Sequence, residues 1–239
     1  RGWFRRRARR EPLQHVLGSG PFCGLTFACS RDALVPRPET ELLVEHALAW
    51  LRLNPGRRSG LDVGTGSGCI AISLLLHHAE LVMMATDISI EALAVARRNA
   101  ERAAVVERIQ FVEADLVPGE VDPRSIALLC ANLPYIPHAV FSGLKVAAHE
   151  PPVALDGGED GLALIRRLLK TTPAVMAPHG QVLLEIQADQ GAAVRDLACE
   201  AFPLAEVQVF PDLAGNDRLV EIQLPPGGRV LDPQGAGAE

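Results

Sequence analysis

A short apolar strand that runs through spaced glycines straight into an apolar helix leaves a chain few choices of fold. Residues 60–71 read Gly60-Leu61-Asp62-Val63-Gly64-Thr65-Gly66-Ser67-Gly68-Cys69-Ile70-Ala71, and a helix is predicted over Ile70–His77. Glycines let the backbone turn tightly and let a ligand approach the main chain. The first helical turn presents N–H groups that have no intrahelical partner. A strand, glycine turn and helix in this order open an α/β unit. The spacing is Gly-x-Gly-x-Gly, not that of the dinucleotide fingerprint, and Asp62 precedes the first glycine by two residues. An acid at that place suits a cationic ligand better than a pyrophosphate.

Three further strands repeat the unit. Leu81–Thr86 ends in Asp87, placed to accept from both hydroxyls of a ribose. Capping of the following helix, Glu91–Ala104, is an equally compatible role, shared with Ser89. Arg108–Glu113 leads into Asp115 and Leu116, an acceptor for an adenine amino group and an apolar cover for its ring, or a plain turn acid. Ile126–Ala131 is a continuous apolar run that delivers Asn132-Leu133-Pro134-Tyr135. Ligand groups at successive strand ends predict a doubly wound sheet that binds at its carboxyl edge. The cation-friendly acid with the adenosine-binding set points to S-adenosyl-L-methionine, held by Asp62, Gly64, Thr65, Gly66, Ser67, Gly68, Asp87, Asp115, Leu116 and Asn132.

Composition bounds the alternatives. The chain has 239 residues, 48% hydrophobic and 22% charged, with a net charge of −6. That is the make-up of a soluble globule, and it argues against broad nucleic-acid binding. Five cysteines form no CxxC pair or zinc spacing, which fits a reducing compartment, and Cys69 and Cys130 are expected to be core thiols. No apolar run is long enough to span a bilayer. His138 and His149 lie in a loop without metal-ligand spacing, so no metal is expected.

Six arginines crowd residues 1–10 and are read as the solvated end of a helix; the first residue, Arg1, predicts a fragment or a processed chain. The apolar segments Leu13–Leu17 and Phe22–Cys29 flank Gly18-Ser19-Gly20-Pro21, which predicts a β-hairpin or two short strands. Pro36-Arg37-Pro38-Glu39-Thr40-Glu41 predicts an extended loop and a helix start at Pro38, with His46 packed or exposed on that helix. Beyond Tyr135 come a long loop over Pro137–Pro152, a helix over Gly161–Val175, a strand over Gly180–Ile186, a helix over Ala188–Glu200 and a closing pair of strands, Leu204–Phe210 and Arg218–Leu224. Pro225–Glu239 reads as a disordered tail.

The sequence resembles the release-factor glutamine methyltransferases (PrmC/HemK family) over nearly its whole length. The resemblance rests on Arg10–Gly18, Pro36–Glu41, His149–Pro151 with Ala154–Leu162, and Ala214–Arg218. It implies a Rossmann-like α/β class I methyltransferase sheet of seven strands in the order 3-2-1-4-5-7-6. A small N-terminal β-hairpin linker within residues 1–35 precedes a catalytic domain over 36–224 and the tail over 225–239. The family's N-terminal helical bundle is almost wholly absent, which agrees with the fragment reading.

The implied reaction moves a methyl group to the side-chain nitrogen of the glutamine in the Gly-Gly-Gln loop of class I peptide chain release factors. An amide nitrogen is a poor nucleophile, so the site must accept its hydrogens and aim it. The Asn132 oxygen and the Pro134 carbonyl suit that role, with Tyr135 stacking on the amide. Leu133, Arg37 and Glu150 are the further substrate-binding candidates. A cytoplasmic monomer is expected, with no direct nucleic-acid partner. Leu133 stands where the family usually has proline. Asn-Leu-Pro-Tyr is also the form of rRNA adenine dimethylases, so adenine on RNA or DNA is the alternative substrate. A ribosomal-protein glutamine is a nearer rival, and a non-catalytic cofactor-binding scaffold requires a broken Asn132 or glycine loop, which the sequence does not show.

Overall fold

The computed structural model describes residues 2–141 and 150–226. Helices α1 (Gly2–Ala8) and α2 (Leu13–Leu17) lead into strands β1 (Ser19–Phe22) and β2 (Leu25–Ala28). A 3-10 turn over Pro38–Thr40 starts α3 (Glu41–Leu53), and then β3 (Ser59–Val63), α4 (Cys69–His77), β4 (Val82–Asp87), α5 (Ile90–Arg102) and β5 (Ile109–Glu113) alternate. After β6 (Ile126–Ala131) come α6 (His138–Phe141), α7 (Ala163–Val175), β7 (Met176–Glu185), α8 (Gly191–Ala201), β8 (Glu206–Pro211) and β9 (Asp217–Gln223).

The seven-stranded sheet runs β5-β4-β3-β6-β7-β9-β8. Counted from β3 as the first strand, this is the order 3-2-1-4-5-7-6. Strands β3 to β7 pair in parallel, and β9 joins β7 and β8 antiparallel. The order reverses between β3 and β6, and that switch point opens the crevice where such sheets bind ligands.

Side chains alternate between two cores, as a sheet covered on both faces requires. Leu128 and Cys130 of β6 pack with α3 and α4 in one cluster, whereas Leu129 and Ala131 pack with α7 and α8 in the other. Leu61 and Val63 of β3 join the second cluster. Asp62, between them, therefore faces the first, beneath α4. Cys69 and Cys130 are both buried free thiols, as expected.

The N-terminal hairpin differs from its expected form. Leu13–Leu17 is a helix, ended by Gly18 in the left-handed conformation at φ 74°, and is not the first strand. The strands turn at Cys23 and Gly24, both at positive φ (48° and 72°). A two-residue hairpin turn asks for positive φ at both central positions. Gly18-Ser19-Gly20-Pro21 has the stronger turn composition, but Gly18 serves as a helix stop and the other three lie in β1.

Strand β7 extends further toward the N-terminus than Gly180–Ile186, because a register shift opposite Ile126–Leu128 absorbs the interruption at Pro178 and Gly180. The arginine-rich start is a helix whose Arg6 pairs with the carboxylate of Glu11 at 2.7 Å. His46 sits 2.8 Å from Glu221 with its ring against Phe210. His149 and residues 227–239 of the expected tail lie outside the described residues.

Candidate active site

A cleft with an empty volume of ≈ 1090 Å³, open mouth included, lies at the carboxyl edge of β3, β4 and β6. Gly64, Thr65, Gly66 and Ser67 form one wall, and Asp87, Asp115 and Leu116 continue it along successive strand ends. Asn132, Leu133 and Pro134 form the opposite side, joined by Arg37 and Thr40 from the proline loop. The strand-end residues that were legible in the sequence thus converge on one space.

Asp62 braces this space from beneath and does not line it. It is fully buried; Oδ2 accepts from the Thr65 hydroxyl at 2.6 Å and from the Ala71 N–H at 3.3 Å. Burial pushes its carboxyl up to about 6, against the stabilising bonds from Thr65 and Ala71. Its Oδ1 is buried with no hydrogen-bond partner among the described residues. Gly68 also lies off the cleft. It holds φ 79° at the start of α4, where a Cβ would meet Ile72 Cδ1 at 3.0 Å and Ala96 Cβ at 3.1 Å.

Asp87 joins the glycine turn to the next helix. Oδ2 accepts the Gly66 N–H at 2.9 Å, and Oδ1 accepts the Ser89 N–H at 2.9 Å. Burial raises its pKa, and the bonds from Ser89 and Gly66 oppose that shift. Ser89 caps α5 by accepting the Ala92 N–H at 3.1 Å, so Asp87 is left with lone pairs for a ligand. Asp115, at the cleft edge, pairs with Arg167 of α7 at 2.7 Å. Leu116 adopts φ 70°, and its carbonyl is held by the Thr86 hydroxyl at 3.0 Å.

The Asn132 side chain is fixed at its nitrogen end: Nδ2 donates to the Thr40 hydroxyl at 3.0 Å. Its Oδ1 accepts no hydrogen bond among the described residues. Leu133 is 4% exposed and packs on the glycine turn, where a Cβ on Gly64 would lie 3.0 Å from Leu133 Cδ2. Tyr135 does not line the cleft. It donates through its hydroxyl to Glu185 Oε1 at 3.4 Å, and its backbone carbonyl accepts from Gln190 Nε2 at 3.0 Å. The buried Glu150 carboxylate accepts from Arg37 at 2.6 Å and from the Val35 N–H at 3.2 Å. Glu150 is therefore a clasp that fixes the proline loop, and Arg37 alone of the pair reaches the cleft.

Sequence reasoning passed over Thr40, Glu185 and Arg167. Thr40 was in view only as a letter of the proline-loop motif. Glu185 carried a usable signal: one acid inside an otherwise apolar central strand. Among the described residues, no cluster of three or more His, Cys, Asp or Glu side chains could hold a metal ion. No helix among them is long and apolar enough to cross a membrane.

The donor set fits S-adenosylmethionine. Backbone at Gly64–Ser67 allows close approach, Asp87 supplies acceptor capacity for hydroxyls, and the orphaned Asp62 Oδ1 supplies negative charge beneath the turn. The family model described as "Methyltransferase small domain" matches residues 38–143. The release factor glutamine methyltransferase of Nitratidesulfovibrio vulgaris is 41% identical over 218 residues, covering 90% of this chain and 73% of that protein. The enzyme of the same name from Cereibacter sphaeroides is 43% identical over 221 residues, covering 92% and 77%. Among solved structures, a release factor-specific protein-(glutamine-N5) methyltransferase from Alicyclobacillus acidocaldarius aligns at 30% identity and TM-score 0.51, over 84% of this chain and 100% of the other. A ribosomal protein L11 methylase from Lactobacillus delbrueckii shares the fold, with TM-score 0.59 at 19% identity, over 82% of this chain and 83% of the other. With its methyltransferase sheet order, its cleft at the carboxyl edge of that sheet and this identity across most of its relatives' length, the chain belongs to the release factor glutamine methyltransferase family, whose methyl donor is S-adenosylmethionine.

Proposed function

We propose that this protein methylates the side-chain amide nitrogen of the glutamine in the Gly-Gly-Gln loop of class I peptide chain release factors. The observation that carries the reading is the Asn132 carboxamide on the cleft wall, tied at Nδ2 to Thr40 and left with an open oxygen acceptor. The names of the relatives support the substrate class. Bound S-adenosylmethionine supplies an electrophilic methyl group on a positively charged sulfur.

The chain's own residues have to bind and aim. A glutamine nitrogen shares its lone pair with its carbonyl, so its attack is slow unless both hydrogens are held and the nitrogen is pointed at the methyl carbon. Asn132 Oδ1 accepts one hydrogen, and the Pro134 carbonyl takes the other. Glu150 and Arg37 keep the proline loop, and with it Thr40, against Asn132. Alignment of this kind contributes through lost motional freedom, without a covalent intermediate. Residues 36–224 are the catalytic domain in this reading, with residues 1–35 as a connector.

The adenine alternative rested on Leu133. That side chain is 4% exposed and packs on Gly64, which supports a packing role for it beside the glycine turn. The test is peptide mapping by tandem mass spectrometry of a release factor incubated with the protein and S-adenosylmethionine. A single added methyl group on the glutamine side chain is the expected result. Methylation at other residues, with the glutamine unmodified, would refute the assignment.

A further inference from the structure

One buried side chain that the proposed mechanism leaves unused braces the segment carrying Asn132 and Pro134. Gln190, the residue before α8, is 6% exposed. Its Nε2 donates to the Tyr135 carbonyl at 3.0 Å and to the Gly161 carbonyl at 3.3 Å. Its Oε1 accepts the Gln187 N–H at 3.0 Å. A carboxamide has two hydrogens to give and one oxygen to accept with. Here both hydrogens and the oxygen are engaged, each on a different segment: the end of the Asn132–Tyr135 loop, the loop before α7 and the turn after β7.

Two glycines let that second loop lie against the same backbone. A Cβ on Gly161 would run into the Tyr135 carbonyl oxygen and would lie 2.7 Å from Gln190 Nε2. A Cβ on Gly157 would lie 2.8 Å from the Pro134 carbonyl oxygen. The contact is registered by hydrogen bonds, from the Ile136 N–H to the Leu155 carbonyl at 3.2 Å and from the Gly157 N–H to the Ile136 carbonyl at 2.8 Å.

We infer that Gln190 is a positioning residue for methyl transfer, which anchors the Tyr135 carbonyl and thereby the Pro134–Tyr135 backbone that presents the second acceptor; the inference rests on the function proposed above. The Pro134 carbonyl and the Tyr135 N–H share one rigid peptide plane. The proline ring fixes φ on the near side of that plane. The Tyr135 carbonyl, held by Gln190, anchors the chain on its far side. Asn132 is held separately, through Thr40. The two acceptors thus have independent braces, and a substrate amide is aimed only while both are in register. Gly64–Ser67 and Asp87 lie across the cleft and are touched by neither brace.

The test has two readouts on the full chain. The chain contains one tyrosine, so tyrosine labelled with carbon-13 at its carbonyl gives a single resonance that reports the oxygen Gln190 binds. Gln190→Met keeps the length of the side chain and loses its donors, and the resonance should move upfield as a carbonyl losing a hydrogen bond does. In methyl transfer, Gln190→Met should lower kcat about tenfold or more, the scale of a misaligned reacting group. The KM for S-adenosylmethionine should stay within about twofold, the split expected when only transition-state alignment is lost. Gly161→Ala displaces the same carbonyl and should show the same split. In the double variant the two losses should fall short of their product, because both act on one group. If Gln190→Met does not fold, Gln190→Asn, whose carboxamide is one methylene short, carries both readouts. An unmoved resonance, an undiminished kcat, or a KM that rises in step with the loss of kcat would overturn the inference. So would losses that multiply. A wild-type protein that methylates a different acceptor would overturn the proposed function alone, and the same comparison on that acceptor then decides the role of Gln190.

Discussion

The Asp87 carboxylate accepts the backbone N–H of Gly66 at 2.9 Å, which ties the end of β4 to the glycine turn that follows β3. One side chain thus shapes the cradle and offers its remaining lone pairs to the ligand. Asp87→Ala should weaken S-adenosylmethionine binding about tenfold or more, the scale of a charge-assisted hydrogen bond, by titration calorimetry. Unchanged affinity would remove Asp87 from the binding set.

Asn132→Ala removes the open acceptor on the substrate side. Turnover should drop on the order of a hundredfold to a thousandfold, as for loss of one preorganised polar group in an active site. Binding of S-adenosylmethionine should stay within about twofold, because the glycine turn and Asp87 are untouched. A proportionate loss of cofactor affinity would move Asn132 from aiming the substrate to holding the donor.

The clasp between Arg37 and Glu150 predicts a stability effect. Arg37→Ala takes the guanidinium away from a fully buried carboxylate that also accepts the Val35 N–H. The cost should be about 2 kcal/mol, the scale of a charged group stripped of one hydrogen bond. Urea unfolding reads it as a lower midpoint with an unchanged slope. Pairing Arg37→Ala with Glu150→Gln should recover part of the loss, since the buried charge is then gone.

Buried acids set a pH dependence of stability. The folded-state pKa of Glu185 is raised to about 7 by burial, so the folded state prefers the neutral form. Its favourable contribution is complete below the ordinary carboxylate range and is lost as pH rises through about 7. Asp62, raised to about 6, adds a loss of the same sign at lower pH. Glu185→Gln cannot titrate and should gain in thermal midpoint over the wild type above neutrality, with the gain vanishing in acid. A gain that grows toward acid would contradict the sign.

The sheet was legible because each parallel strand is a compact apolar run that ends in polar residues; Ile126–Ala131 matches its strand residue for residue. The ligand wall was legible for the same reason, since those polar residues fall at one edge. The hairpin was misplaced because glycine marks a helix stop as readily as a turn, and Cys23 at positive φ has no mark in sequence. Asp62 and Glu150 were read as ligand contacts because an acid near a motif announces charge, not direction. Strand alternation does turn Asp62 under α4. The contact of Asn132 with Thr40 joins residues 92 positions apart, and no local pattern encodes it.

The most direct measurement is transfer of label from S-adenosylmethionine to purified class I release factor, beside a Gly-Gly-Gln→Gly-Gly-Ala factor and rRNA. Label on the wild-type factor alone is the predicted result. Label on the alanine form to the same extent, or on RNA alone, would contradict the account.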